Sequence, residues 1–401
     1  MRDVARHAGV SVSTVSLVVN GTGYVSAEMR ERVEAAMRAL NYVPNELARN
    51  LYHDRTNMIG VIVPTIRHPF FATLTAGLQR AFSASGLRTL LCSTADADAG
   101  EAQYVDMLRR HMMDGIVMAA HTEHDPNYWT SIGRPIVAFD RYLGEGIASV
   151  GSDHEQGGRL IADLLIRTGA QHVVMIGGPR GQFHDLADSL HATCPQSSMR
   201  PHNSAPEKSV SENSVSDDLD KMPSRNENAH AKSEHTHTAS ERMHTESESA
   251  LLDTTFPTVR YYLTLEAQLS RANIRYDYVE AGDVTDFRGY EKAVQNVFDQ
   301  LGDVDAIVTS DFAAARCVRE ALSRNIRVPH DLQIVAYDGT YLTDAAGFRL
   351  TAICQNFDAI CQSIADRMFN AISNNTSAVV PTSDTDILIP VSLRLGETTR
   401  A

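Results

Sequence analysis

A chain of 401 residues is too long for one ordinary domain and has room for two or three. Its hydrophobic share of 43% is ordinary for a soluble globular protein, no apolar run approaches the roughly 20 residues of a membrane span, and the opening MRDVARHAGVS lacks the apolar core of a secretory signal. Five scattered cysteines (Cys92, Cys194, Cys317, Cys354, Cys361) without a CxxC pair fit reduced thiols in a cytoplasmic protein and argue against a disulfide framework or a zinc site. The net charge of −14 speaks against nucleic acid, but the charge is unevenly spread. Residues 1–56 hold seven Arg against six acidic residues, a local +1, which leaves the remainder near −15. An acidic body behind a near-neutral head limits indiscriminate adhesion to polyanions, so any binding of nucleic acid would have to come from placed contacts.

Residues 1–43 read as three short helices. Val4, Ala5 and Ala8 share one face of the first, and Gly9 ends it as a C-cap. Ser11 is placed to N-cap a second helix over 12–20, with Val15, Val18 and Val19 turned inward. Ser26 caps a third, with Glu28 near its positive end and Val33, Met37 and Leu40 as its buried stripe. Two helices joined by a three-residue glycine turn and braced by a third form a helix-turn-helix, although the pattern alone also fits any small three-helix unit.

From Met58 the pattern changes to short apolar runs alternating with amphipathic stretches. The runs at 59–64, 88–92, 115–120 and 135–140 form a first strand series, and those at 172–178, 275–282, 305–311 and 332–338 a second. Strand–helix alternation gives parallel sheets with right-handed crossovers, and two such series give two similar lobes. Between 191 and 250 the chain has six large apolar side chains and no aromatic, too little to offset ordering entropy, so this insert reads as disordered. His230, His235, His237 and His244 within it need no ligand cage to explain them, and no metal or cofactor is expected.

The literal string DVARHAGVSVSTVSLVVNG, followed by VSAEMRERVEAAMRALNYVPNELARNL, resembles the lac repressor (LacI/GalR) family nearly position for position. The resemblance continues through PTIRHPFF (64–71), FDR (139–141), SDHEQGGRL (152–160), TSD (309–311), AYDGT (336–340) and LTAICQNF (350–357) to about Thr399, interrupted by the insert. It implies an all-α helix-turn-helix head (1–43), a hinge helix and linker (44–56), and an α/β periplasmic-binding-protein-like body (57–399) of two doubly wound parallel-sheet lobes.

By matching positions, the resemblance implies that Ser11, Thr14, Ser16 and Asn20 hold phosphates while Val12, Ser13 and Leu17 meet base edges in the major groove. Many relatives carry Arg where Leu17 stands; its absence shifts weight from guanine contact to readout of DNA shape. In the hinge, Pro44 opens a helix too short to be stable alone, Asn45 and Arg49 lie near the backbone, and Leu51 would wedge into a minor-groove step, the alternative being that it packs on the body. Relatives usually have a capping Thr before the RDVA string, whereas here Met1 abuts Arg2, so the first helix is expected to lack its cap.

For the body, the resemblance implies a cleft lined by Phe70, Asp140, Arg141, Arg260, Ser310, Asp311, Asp338, Gln355 and Phe357. Carboxylates and Arg at strand ends bond vicinal hydroxyls and an aromatic covers an apolar ring face, which suits a sugar. Asp140 and Asp338 could equally cap turns, and Asp311 the helix at Phe312. Two departures stand out: Arg260 opens Arg-Tyr-Tyr-Leu-Thr in place of the family's Arg-x-x-Gly-aromatic, and Ser310 replaces a common Asn.

The expected function is therefore a homodimeric repressor on pseudo-palindromic operator DNA, controlled by a small effector. The alternative is a global regulator controlled by a protein partner or a phosphorylated metabolite. No leucine heptad follows the body, so a tetramerising coiled coil is not expected. An enzyme is not expected either: GGPRG (177–181) does not match a phosphate-binding lysine loop, and no catalytic string occurs.

Overall fold

The computed structural model describes residues 1–21, 23–43, 55–96, 100–122, 124–179, 257–345, 347–373 and 386–400. The expected hinge helix, with Asn45, Arg49 and Leu51, and the insert at 191–250 lie outside the described residues.

The head is three helices, α1 (Arg2–Ala8), α2 (Val12–Asn20) and α3 (Ala27–Ala39). Gly9 takes a left-handed conformation at φ 63° and closes α1 by donating to the carbonyls of Ala5 and Arg6. Met1, at the N-cap of α1, makes no side-chain cap hydrogen bond. Ser11 and Ser26 cap α2 and α3 by accepting from Thr14 N and Met29 N. Val4, Ala5, Ala8, Val15, Val18, Val33 and Ala36 form the core, and Val19 and Met37 pack on its edge. Leu40 is a correction: α3 ends at Ala39, Leu40 falls at its C-cap and is 42% exposed, and Ala36 takes the inner position.

The body begins with β1 (Met58–Val63), α4 (Pro69–Ala84), β2 (Arg88–Ser93), α5 (Gly100–Arg109), β3 (Gly115–Met118), α6 (Pro126–Thr130), β4 (Ile136–Phe139) and β5 (Ala148–Ser152). Then come α7 (His154–Arg167), β6 (His172–Gly177), α8 (Pro257–Arg271), β7 (Arg275–Glu280), α9 (Phe287–Asp299) and β8 (Ala306–Ser310). The last elements are α10 (Asp311–Ser323), β9 (Gln333–Asp338), α11 (Leu342–Ala345), β10 (Thr351–Cys354), α12 (Phe357–Ser373), β11 (Asp386–Ile389) and β12 (Ser392–Arg394). The strands order as β11-β5-β4-β3-β1-β2 in the first lobe and β12-β10-β9-β8-β6-β7 in the second. All pairings are parallel except that of β10 with β12. Helices cover both faces of such sheets, which is why central strands such as MIGVIV and HVVMIG are continuous apolar runs.

The eight strands expected from apolar runs are all present, and four further strands, β5, β10, β11 and β12, complete the sheets. These four are short, and β11 alternates exposed with half-buried residues, so neighbouring strands rather than composition decide them.

Their positions explain the connectivity. The chain leaves the first lobe after β5, because α7 packs on α8 in the second. It returns after β10, because α12 packs on α4 in the first. It crosses once more between β11 and β12. Among the described residues no helix is long and apolar enough to cross a membrane.

The α7–α8 contact depends on a glycine. A Cβ at Gly158 would stand 2.5 Å from the Tyr261 carbonyl oxygen and 2.8 Å from Thr264 Cβ. Gly158→Ala is expected to destabilise the body by about 1–3 kcal/mol through overpacking, visible as a lower midpoint in thermal denaturation.

Candidate functional site

The head exposes one continuous face. Ser11 Oγ accepts from Thr14 N at 3.0 Å and lies 2.7 Å from Ser13 Oγ and 2.8 Å from Thr14 Oγ1. One turn on, Asn20 donates to Ser16 Oγ at 3.2 Å. Between these hydroxyls Val12 and Leu17 stand 44% and 36% exposed, with Leu17 lying over Gly23. The residues assigned to DNA on α2 are thus gathered on its outward side. Sequence reasoning missed Arg32, which donates from α3 to the carbonyls of Ala8 and Gly9 and pins the turn. Its guanidinium occupies the space of a Cβ at Gly9.

In the body, both sheets end their strands at a cleft of about 400 Å³, the usual ligand position in doubly wound folds. Phe70, Asp140, Arg141, Ser310 and Asp338 line it, as expected. Asp140, just after β4, and Asp338, the last residue of β9, take left-handed conformations, φ 49° and 97°, which turn the chain at the cleft floor. Phe70 stacks on Phe139 with centroids 5.8 Å apart.

Four expected residues are not among the lining. Gln355 is buried beneath the floor, where it donates to Asp338 Oδ1 at 2.9 Å and accepts from Ser152 Oγ at 2.7 Å. Phe357 backs Phe70 at 5.3 Å. Asp311 is fully buried and accepts from both N and Oγ1 of Thr340, so it clasps the loop after β9. Arg260 gives way to Tyr261 and Tyr262, which occupy the adjoining turn of α8 and face the cleft. Packing fixes that rotation of the helix: Tyr261 stacks on Tyr337 at 3.9 Å, and Tyr262 donates to the Ile176 carbonyl at 2.8 Å.

The floor also contains a residue that sequence reasoning passed over. His154, buried in the first turn of α7, places Nε2 3.1 Å from Asp140 Oδ2 and Nδ1 2.7 Å from the Tyr337 hydroxyl. Asp140 Oδ1 accepts from Ser152 N at 3.0 Å. A carboxylate only accepts, so Nε2 is the donor of the first bond. Two glycines make room: a Cβ at Gly151 would lie 2.2 Å from Asp140 Oδ1, and one at Gly157 2.6 Å from the Tyr337 hydroxyl. The one legible signal was the motif SDHEQGG, which carries His154 and Gly157 together.

Burial pushes the Asp338 carboxyl well above its usual range, and the nearby Asp311 and Asp140 push the same way against the Gln355 hydrogen bond. Burial likewise raises Asp311. Burial keeps the phenols of Tyr261, Tyr262 and Tyr337 protonated. The cleft therefore offers acceptors at Asp140 and, at Asp338, a carboxyl that burial pushes towards its donor form, set among aromatic faces. That assortment suits a polyhydroxylated ligand better than an anion.

A three-helix head with a helix-turn-helix is thus joined to a two-lobed α/β body with a cleft at the ends of its strands. Residues 1–45 match the model of bacterial regulatory proteins of the lacI family. Residues 56–184 match periplasmic binding proteins and the sugar-binding domain of that family, and 234–399 a periplasmic binding protein-like domain. Head and body thus each resemble the LacI family over the residues those models match. It is 42% identical over 178 residues to a sucrose operon repressor of Pediococcus pentosaceus, covering 44% of this chain and 54% of that protein. A ribose operon repressor of Halalkalibacterium halodurans is 39% identical over 45% of this chain and again 54% of its own length, so these matches span about half of those relatives. A sucrose operon repressor of Streptococcus mutans aligns over 99% of this chain and 98% of its own at 27% identity. Among solved structures, the lac repressor dimer bound to operator and the anti-inducer ONPF superposes with a TM-score of 0.69 over 100% of this chain and 98% of that one, at 22% identity. The regulator CelR in complex with cellobiose superposes at 0.59 over 99% and 98%, also at 22%. These likenesses establish the fold.

Asp338 has a measurable signature. A carboxyl whose folded pKa is raised stabilises the fold only below its unfolded value near 4, and stability is lost as pH rises from there towards the folded value. Asp338→Asn, which tolerates the positive φ and cannot ionise, is therefore expected to melt higher than wild type at pH 7. The gap should close by about 1.4 kcal/mol per pH unit on acidification and vanish near pH 4, as followed by thermal melts across that range.

Proposed function

We propose that the protein is a sequence-specific DNA-binding transcription regulator, a cytoplasmic homodimer that represses carbohydrate-utilisation genes and whose operator affinity changes when a sugar occupies the interlobe cleft. The observation that carries this reading is the coexistence in one chain of the exposed hydroxyl and apolar face of α2 with a cleft of carboxyl, phenol and aromatic groups. The names of the relatives, repressors of sucrose and ribose operons, point the same way.

Within this reading Ser11, Thr14, Ser16 and Asn20 fix register on phosphates, and Val12, Ser13 and Leu17 read the base edges. Val12 and Leu17 can favour a thymine methyl, and the remaining discrimination falls to DNA shape. Hinge residues Asn45, Arg49 and Leu51 add backbone contacts and a minor-groove wedge in a pseudo-palindrome shared by two subunits. In the cleft, Phe70, Asp140, Arg141, Ser310 and Asp338 contact the sugar directly. Gln355, Phe357 and Asp311 support them from behind, and Arg260 contributes through α8. Effector binding shifts the balance of lobe arrangements, and a coupling of about 1–3 kcal/mol gives roughly 5–150-fold regulation.

Selection of genomic fragments by the purified full-length protein, followed by release with sucrose or ribose, tests this. One enriched pseudo-palindrome, released by a sugar, is expected. Leu17→Ala should weaken binding to that site by about 1–3 kcal/mol with little effect on random DNA. Phe70→Ala should retain DNA binding and lose the sugar response. No enrichment at physiological salt would overturn the DNA reading. Enrichment without response to any sugar, but with response to a phosphorylated metabolite or protein, would replace the effector assignment.

A further inference from the structure

Away from the floor, the two lobes meet a second time through aromatic rings. His68, which precedes α4 in the first lobe, lines the cleft and is only 5% exposed. Its ring lies 6.2 Å from Phe287 of α9 at an interplanar angle of 30°, and 6.3 Å from Phe312 of α10. Those two rings of the second lobe meet edge to face at 5.1 Å. On its own side His68 touches Phe71 at 5.9 Å. An imidazole from one lobe thus sits in an aromatic socket built by the other.

We propose that His68 is a positioning residue for effector capture, a latch whose neutral ring holds the lobes together over the cleft and whose protonation releases them. The purpose assigned to the latch rests on the proposed effector role of the cleft; the contact itself does not.

Three observations favour the neutral ring in the latched arrangement. His68 Nδ1 accepts from Phe70 N at 3.3 Å as the N-cap of α4, so a proton on Nδ1 would face a donor and lose the cap. Phe287 already carries one cation, Arg67, whose Cζ lies 5.8 Å from the ring centroid and would repel a protonated imidazole beside it. Burial also lowers the His68 pKa from 6.5 to about 4. In an opened cleft the ring regains water and its ordinary value. The sign follows: closure is favoured above pH 6.5 and loses ground, by about tenfold per pH unit, as pH falls from 6.5 towards 4.

Other charged groups surround the contact and set the background. Arg67 pairs with Asp96 at 2.9 Å, and Arg316, stacked on Phe312 at 4.6 Å, pairs with Glu291. Asp286 and Arg288 flank Phe287, Asp311 precedes Phe312, and Asp283 and His121 line the same cleft. The latch is therefore read from the difference between wild type and a variant that cannot titrate at position 68.

The test needs neither operator nor effector. Hydrogen exchange at the amides around Phe287 and Phe312, and small-angle scattering, would be recorded on the full-length protein at pH 7.5 and 5.5. His68→Phe keeps the ring and His68→Gln keeps an acceptor for Phe70 N, and neither titrates in this range. Wild type should open on acidification, its closed-to-open ratio falling about tenfold at pH 5.5 with faster exchange and a larger radius of gyration, while both variants change much less. An unchanged wild-type profile, or equal acid opening in the variants, would sink the latch and leave the sugar-effector reading standing.

Discussion

Two carboxyl groups, Asp140 of one lobe and Asp338 of the other, are buried at the floor of the cleft, and much of the body can be understood as the means of keeping them there. A buried acid without partners is costly, and here each is held by groups from the chain crossings. Ser152 and His154 flank the first crossing and bond Asp140; Gln355 lies at the second and bonds Asp338. Ser152 and Gln355 then join to each other, and His154 reaches Tyr337 of the second lobe. The hinge of the body is thus a continuous polar network, not an inert tether. Any movement of one lobe over the other has to rearrange it, which is how occupation of the cleft can be felt outside the cleft.

The same floor gives the cleft its chemical character. Asp140 accepts, while burial pushes the Asp338 carboxyl towards the protonated form that can donate. Around them Tyr261, Tyr262 and Phe70 supply aromatic surface. Keeping acids in such a place weakens the empty protein, a common trade between stability and function at binding sites. The aromatic contact of His68 with Phe287 and Phe312 lies away from the floor, so the lobes are joined at two chemically different points, one polar and one apolar.

The head follows another logic. Its core is small, mostly valine and alanine, and it depends on local devices: Gly9 at a left-handed turn, serine caps on two helices, and Arg32 reaching across to fix the turn. Because its inward face is so sparing, almost all of α2 that is not needed for packing is free to meet a partner.

The sequence by itself determined the features that local physics dictates. Caps and turn residues placed the head helices, short apolar runs placed eight strands, of which the edge strands β2 and β7 prove half-exposed, and strand–helix alternation made the sheets parallel. Motif positions also brought Phe70, Asp140, Arg141, Ser310 and Asp338 to the cleft. Only the tertiary structure decided the rest, because the deciding contacts join residues far apart in the chain. Strands β11 and β12 are short, and their places are decided by the edges that β5 and β10 offer them. The stacking of Tyr261 on Tyr337 sets the rotation of α8 and displaces Arg260 from the lining. Asp311 and Gln355 are drawn from the ligand side into support by Thr340, Ser152 and Asp338. His154, one residue among sixteen histidines, acquires meaning only when α7 carries it between the two lobes.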